Sequence, residues 1–166
     1  MVSAASVRWL GAGLGLVVAA CDTGGGASSL PPPPQAERPA AVPEFDAGPV
    51  RTAAEYLEEP RFAAADIARG ELLGFACAAC HKFKAGEGTL IGPNLHGVFG
   101  RPAGGAAEFM YSRALEESGL VWTPVSLEAW LTDPTGFVAG TTMAFSGYRS
   151  PEDRRDLIAY LLRVTQ

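Results

Sequence analysis

Apolar positions along this 166-residue chain fall into three regimes. Residues 9–20 form an unbroken run of apolar and small side chains, shorter than the roughly 20 apolar residues that a membrane span needs. From residue 22 to 49 large apolar side chains are rare, and glycine, serine and proline dominate. Helical periodicity sets in after Asp66, a suitable N-cap. Gly70, Leu73 and Cys77 recur at i, i+3 and i+7, which predicts a helix whose inner face runs into residues 77–81. Residues 112–118 predict a short helix closed by Gly119. Residues 124–133 predict another, with Leu127, Trp130 and Leu131 inward before Pro134 ends it. The last helix has Pro151 in its first position and Glu152 and Asp153 in its first turn. Its apolar stripe is Leu157, Tyr160, Leu161 and Val164. A weaker segment, residues 52–59, predicts a short helix stopped by Pro60. No strand pattern interrupts these segments, so the expected fold is all-α.

Two features of this pattern need a physical reason. Glycine inside a helix costs up to about 1 kcal/mol relative to alanine, so Gly70 and Gly74 imply a close crossing, with the C-terminal helix as the expected partner. Residues 82–101 contain five glycines and Pro93. They read as one long loop, of the kind that usually carries function. Residues 139–145 are a second non-helical stretch, lying between two helices.

Composition sharpens the domain picture. The length suits one domain with appendages. The 48% hydrophobic content overstates its core, because the N-terminal run and the Gly/Pro-rich stretch inflate it. Arg8 and the apolar run after it describe a secretory signal over residues 1–20. Residues 21–60 read as a linker, flexible through the glycines and serines of 24–29 and stiffened by Pro31 to Pro34. Residues 61–166 form the folded domain, and whether residues 50–60 pack on it is open. The formal charge is −5, from 13 basic and 18 acidic residues; removing Arg8 with the signal leaves 12 against 18, or −6. Lys82 and Lys84 are the only lysines. Without a basic stripe, nucleic acid is not an expected partner.

The chemistry is concentrated in Cys77-Ala78-Ala79-Cys80-His81, a C-x-x-C-H sequence. Two thiols three residues apart can each add to one vinyl group of a haem. The histidine that follows is then carried onto the iron, as in c-type attachment. A redox dithiol would want a βαβ setting, which is missing. A zinc site would need four ligands and so both histidines, His81 and His96, beside the two cysteines. A six-coordinate haem wants a distal ligand, commonly a methionine. Beyond Met1 the chain offers Met110 and Met143, and Met143 sits in the 139–145 stretch, able to lay a sulfur across a haem face.

From about residue 68 to 162 the chain resembles a class I cytochrome c of the mitochondrial and bacterial c2-like type. The resemblance rests on CAACH at 77–81, GPNLHGVFGR at 92–101, Trp122, GTTMAF at 140–145 and DLIAYL at 156–161, in the family's order and spacing. It implies the small class I fold, with crossing N- and C-terminal helices around one covalently bound haem c. Cys77 and Cys80 would hold the porphyrin, and His81 and Met143 the iron. The Pro93 carbonyl would accept a hydrogen bond from the second ring nitrogen of His81. Arg101, Tyr111 and Trp122 would approach a propionate, while Thr141 and Trp130 would line the distal side. His96 matches a structural histidine of the family rather than a ligand. Trp130 stands where a tyrosine is usual and Leu115 where an asparagine is usual, so the polar network beside the Met143 sulfur would be thinner. The family's lysine ring at the haem edge is also missing, with Thr135, Gly136 and Thr142 in its place.

A second resemblance concerns the N-terminus. Val18-Ala19-Ala20-Cys21 is similar to the lipobox of bacterial lipoproteins, in which the cysteine becomes the acylated mature N-terminus. Cys21 is also the odd thiol left by the haem pair, and several acyl chains anchor stably where one does not. The expectation is a membrane-tethered electron carrier on the periplasmic side of a bacterial envelope, monomeric and not an enzyme. It would serve redox complexes in or at the membrane, respiratory or photosynthetic. Alternatives are a haem subunit of a larger oxidoreductase, or a peroxidase-like or gas-binding haem protein with a labile Met143.

Overall fold

The computed structural model describes residues 45–166; the expected signal, Cys21 and most of the linker lie outside the described residues. The described chain is helical, with no strand and one isolated bridge between Pro102 and Val121.

The fold is built on the crossing that the glycines implied. Helix α1 is Ala53–Leu57, α2 Pro60–Ala63 and α3 Ile67–Ala78; α4 is Arg113–Glu116, α5 Pro124–Thr132, α6 Pro134–Phe137 and α7 Pro151–Val164. At Gly74 an added Cβ would lie 2.7 Å from Tyr160 Cε1 of α7. At Gly70 it would run into the Asp156 backbone carbonyl and come within 2.9 Å of Tyr160 Cβ. Only glycine lets the two backbones approach so closely. The Tyr148 hydroxyl donates to the Leu73 carbonyl at 3.0 Å, and the Asp66 N–H, at the α3 N-cap, donates to the buried Asp156 carboxylate at 3.1 Å. Arg155 supplies the opposite charge to Asp156 at 2.7 Å, which a buried carboxylate requires.

Helix α7 starts as expected, with Ser150 capping the Asp153 N–H and Pro151 in its first turn. Its buried surface is wider than the predicted stripe. Ile158, Ala159 and Leu162 are as enclosed as Leu157 and Leu161, while Tyr160 and Val164 are partly buried. The reason lies upstream, because α1, α2 and α5 cover the faces of α7 that α3 leaves open. Residues 45–60, read in sequence with the linker, therefore pack on the domain. Thr52 and Glu55 form a capping box on α1, and Pro60 opens α2 besides stopping α1. Tyr56 and Phe62 are buried against the core. Upstream of α1, Phe45 meets Phe137 of α6 edge-on at 5.1 Å between ring centroids. The Thr123 hydroxyl donates to the Ala47 carbonyl at 2.6 Å, and Arg61 reaches Glu128 of α5 at 3.1 Å.

Helix α5 buries Leu127, Trp130 and Leu131 as its spacing predicts. Pro134 does end it, and then serves as the first residue of α6, which Asp133 caps through the Gly136 N–H. Between α3 and α4, and between α6 and α7, the chain runs as loops over the two sides of one cavity.

Candidate functional site

Cys77 lies in the last turn of α3, and Cys80 and His81 follow where the helix unwinds. The Cys80 and His81 N–H groups both donate to the Cys77 carbonyl, at 3.0 and 2.9 Å. This turn brings both thiols and the imidazole to one wall of the cavity. The thiols are not joined in a disulfide, and burial pushes the Cys77 thiol up to about 11.

His81 Nδ1 lies 2.7 Å from the Pro93 carbonyl oxygen. A carbonyl can only accept, so Nδ1 carries the proton and Nε2 keeps its lone pair free for a metal. Burial lowers the His81 pKa, against the opposing effect of the Pro93 bond, and favours the neutral, ligand-competent ring. Gly92 packs flat beside this ring: a Cβ there would stand 2.7 Å from His81 Nδ1. Its N–H donates to the Cys80 carbonyl at 2.8 Å, so the proximal loop is tied back to the cysteine turn. Motif spacing marks Gly92 as part of GPNLHG, but its role against the imidazole emerges only in three dimensions.

The opposite wall comes from the loop after α6. Met143 lines the cavity with Thr141, Thr142, Ala144 and Phe145, and the Met143 N–H donates to the Thr141 hydroxyl at 3.3 Å. Met110, the rival by sequence, is 92% exposed. His96 is not among the cavity-lining residues; its carbonyl accepts from Arg101 Nη1 at 3.1 Å. Pro93, Arg101, Tyr111, Trp122 and Trp130 all line the cavity, joined by Leu115, Leu127 and Leu131. Trp122 and Trp130 meet edge-on at 5.4 Å. With Leu115 beside them the inner wall is almost wholly apolar.

Arg101 is the lining residue with a fixed charge. Its Nη2 donates to the Asn94 carbonyl at 2.9 Å, while its Nε is buried without a protein partner. Burial lowers its pKa and raises that of Tyr111 beside it. A buried, half-satisfied guanidinium calls for an anion. The cavity encloses about 1250 Å³ of space not filled by atoms, its mouth included. A haem, flat and apolar with carboxylates at one edge, fits this donor set: two thiols and an imidazole on one wall, a thioether on the other, apolar sides and an unpaired cation. Among the described residues, no three His, Cys, Asp or Glu side chains are grouped to hold a metal ion by themselves.

An all-α domain in which an apolar cavity joins C-x-x-C-H to a loop methionine defines a monohaem c-type cytochrome. Comparison with known proteins agrees. The chain is 46% identical over 90 residues to cytochrome c of Cochliobolus lunatus, covering 54% of this chain and 83% of that protein. It is 45% identical over 111 residues to cytochrome c of Chlamydomonas reinhardtii, covering 66% and 96%. Against cytochrome c2 of Agrobacterium tumefaciens (strain II Chrys) it is 41% identical over 100 residues, covering 58% and 90%. No family model matches the chain. The chain belongs to the class I cytochrome c family; its cofactor is one covalently bound haem c, and it is an electron carrier rather than an enzyme.

Proposed function

We propose that this protein is a lipid-tethered cytochrome c that carries single electrons between redox complexes at the periplasmic face of a bacterial membrane. Cys77 and Cys80 would form the thioether links to a bound haem, and His81 and Met143 would hold its iron. The observation that carries this reading is the convergence on one apolar cavity of the 77–81 turn and Met143, two segments more than 60 residues apart. When bound, the haem supplies a one-electron Fe(III)/Fe(II) couple. The chain's residues set the conditions for it. The Pro93 carbonyl fixes the tautomer and orientation of His81. Gly92 keeps the proximal loop close to that ring. Trp122, Trp130, Leu115 and Leu127 exclude water from the inner wall, while Arg101 offers charge to a propionate. With His81 and Met143 both holding the iron, no position would be open for a substrate.

The tether is the finer part of the proposal. The sequence Val18-Ala19-Ala20-Cys21 supports acylation at Cys21 after removal of residues 1–20, with the chain up to residue 44 as the leash. Among the described residues, no helix is long and apolar enough to cross a membrane.

The site is tested by holoprotein yield and optical spectra. Wild-type haem should stay with the polypeptide through denaturation and acid–acetone extraction. Replacing Cys77 and Cys80 together with Ala should leave little holoprotein. Met143→Ala should open the ferric protein to cyanide or imidazole, and Met110→Ala should not. Haem that extracts cleanly from the wild type, or ligand binding opened by Met110→Ala instead, would refute the assignment.

A further inference from the structure

Helix α3 has two apolar faces where a surface helix normally has one. Gly70, Leu73, Gly74 and Cys77 face α7 and the core. Leu72, Phe75, Ala76 and Ala79 repeat the same i, i+3, i+4, i+7 spacing on the outside. Leu72 is 69% and Phe75 66% exposed, and no described element covers them. This second stripe leads into the haem cavity, because Ala76 forms part of its lining. Ile91, 79% exposed, lines the same cavity from the proximal loop. Thr142 and Ala144 continue the lining from the Met143 loop, both exposed and uncharged. Exposed apolar side chains scattered singly need no explanation, but a run of them bordering a functional site does.

Charge narrows the choice of what covers the run. Arg101 is the charged residue of the cavity lining, and its guanidinium is turned to the Asn94 and His96 carbonyls. Lys82 and Lys84 are not among the lining residues. On α3, Arg69 is engaged with Asp153, which leaves Glu71 as the charge beside the stripe. An acidic docking face would find no cation among the residues of this run. An uncharged face would bury Leu72, Phe75 and Ile91 without stranding a charge, and bring its own redox centre close to the cavity mouth.

We infer that the outer stripe of α3, with Ile91, Thr142 and Ala144, is the docking surface for a redox protein presenting an apolar, uncharged face. This rests on the electron-carrier reading above and specifies the partner for the same site. Capture is then governed by buried apolar area rather than by electrostatic steering, and depends weakly on salt.

The test uses the ferrous holoprotein and washed membranes of the cells that make it, following haem oxidation by absorbance. Phe75→Lys and Phe75→Glu should each lower the second-order rate by about ten- to a hundredfold, the scale of one lost buried phenylalanine. Phe75→Leu should keep most of it. The haem spectrum and midpoint potential should stay as in the wild type, since Phe75 does not line the cavity. Opposite effects of Lys and Glu would overturn the inference in favour of a charged partner, as would a steep fall of the wild-type rate with salt. Equal rates for all variants would show that electrons pass through another surface. If the wild type exchanges no electrons with the membranes, the carrier reading itself fails. Two other occupants are checked directly on a Cys21→Ser protein. A dimer in sedimentation that Phe75→Lys dissociates, or binding to phosphatidylcholine vesicles that Phe75→Lys abolishes, would reassign the stripe to a second copy or to lipid.

Discussion

At the residue scale, the two sides of the cavity are held with different firmness. His81 is fixed by the Pro93 carbonyl, by the backbone bond to Cys77 and by Gly92 packed against its ring. Met143 hangs from a stretch whose own hydrogen bonds are short-range, Thr141 to Val138, Met143 to the Thr141 hydroxyl and Phe145 to Met143, and the loop is tied to remote segments only further on, at Tyr148. Of the two proposed iron ligands, Met143 would therefore be the one more easily exchanged. Methionine favours the ferrous state relative to histidine, so Met143→His should lower the midpoint potential by on the order of 0.1 V, within the roughly 0.8 V that axial ligation spans; potentiometric titration reads this directly. Trp130 and Leu115 make the distal wall apolar. Trp130→Tyr, which introduces a hydroxyl into that wall, should move the potential while leaving the covalent attachment intact.

At the element scale, the crossing of α3 and α7 and the strap formed by residues 45–63 carry the architecture. Gly74→Ala places a methyl 2.7 Å from the Tyr160 ring. Overpacking of this kind costs about 1–3 kcal/mol, measurable as a lower denaturation midpoint of the holoprotein. Gly70→Ala should cost more, because its methyl meets the Asp156 backbone rather than a ring that can move. The strap makes an independent prediction. Phe62 is fully buried against the core, so Phe62→Ala should destabilise by about 3–5 kcal/mol. A negligible change in denaturant midpoint would mean that the strap is only laid on the domain. Helices α3, α5 and α7 were legible from periodicity, with the Asp66 cap and Pro151 at N1 marking two of the starts; α2 and α6 were not expected, because Pro60 and Pro134 read only as stops. The packing of the strap was not: Phe45, Val50, Tyr56, Leu57 and Phe62 are its only large apolar side chains, spaced too irregularly to make a stripe.

At the scale of the whole molecule, the strap would shorten the proposed leash. Residues 21–60 as a linker would give roughly 40 flexible residues and a root-mean-square reach of about 35 Å. With packing from residue 45 onward, the 23 residues from 22 to 44 would, as a flexible coil, reach about 26 Å. A tethered carrier gains effective concentration at each partner only while its leash spans the distance between them. Cys21→Ser should release the protein from membranes with its haem spectrum unchanged. Deleting residues 24–43 should preserve membrane attachment and slow transfer between partners. Unchanged electron flux in the shortened protein would favour a fixed subunit over a shuttle.

The amino-acid sequence alone determined the cofactor chemistry and the fold class. A C-x-x-C-H turn, a methionine in a non-helical stretch and glycines inside a helix are local patterns with few physical solutions. It also marked the missing lysines. What only the tertiary structure decided depends on distance between remote segments: Gly92 against the His81 ring, the unpaired Arg101 Nε inside an apolar cavity, residues 45–60 as part of the domain, and the second apolar face of α3. Spacing put Leu73 with Gly70 and Cys77 on the inner face, and the core does cover it. Whether anything covers Leu72 and Phe75 from the other side depends on remote segments and is not written in their neighbours.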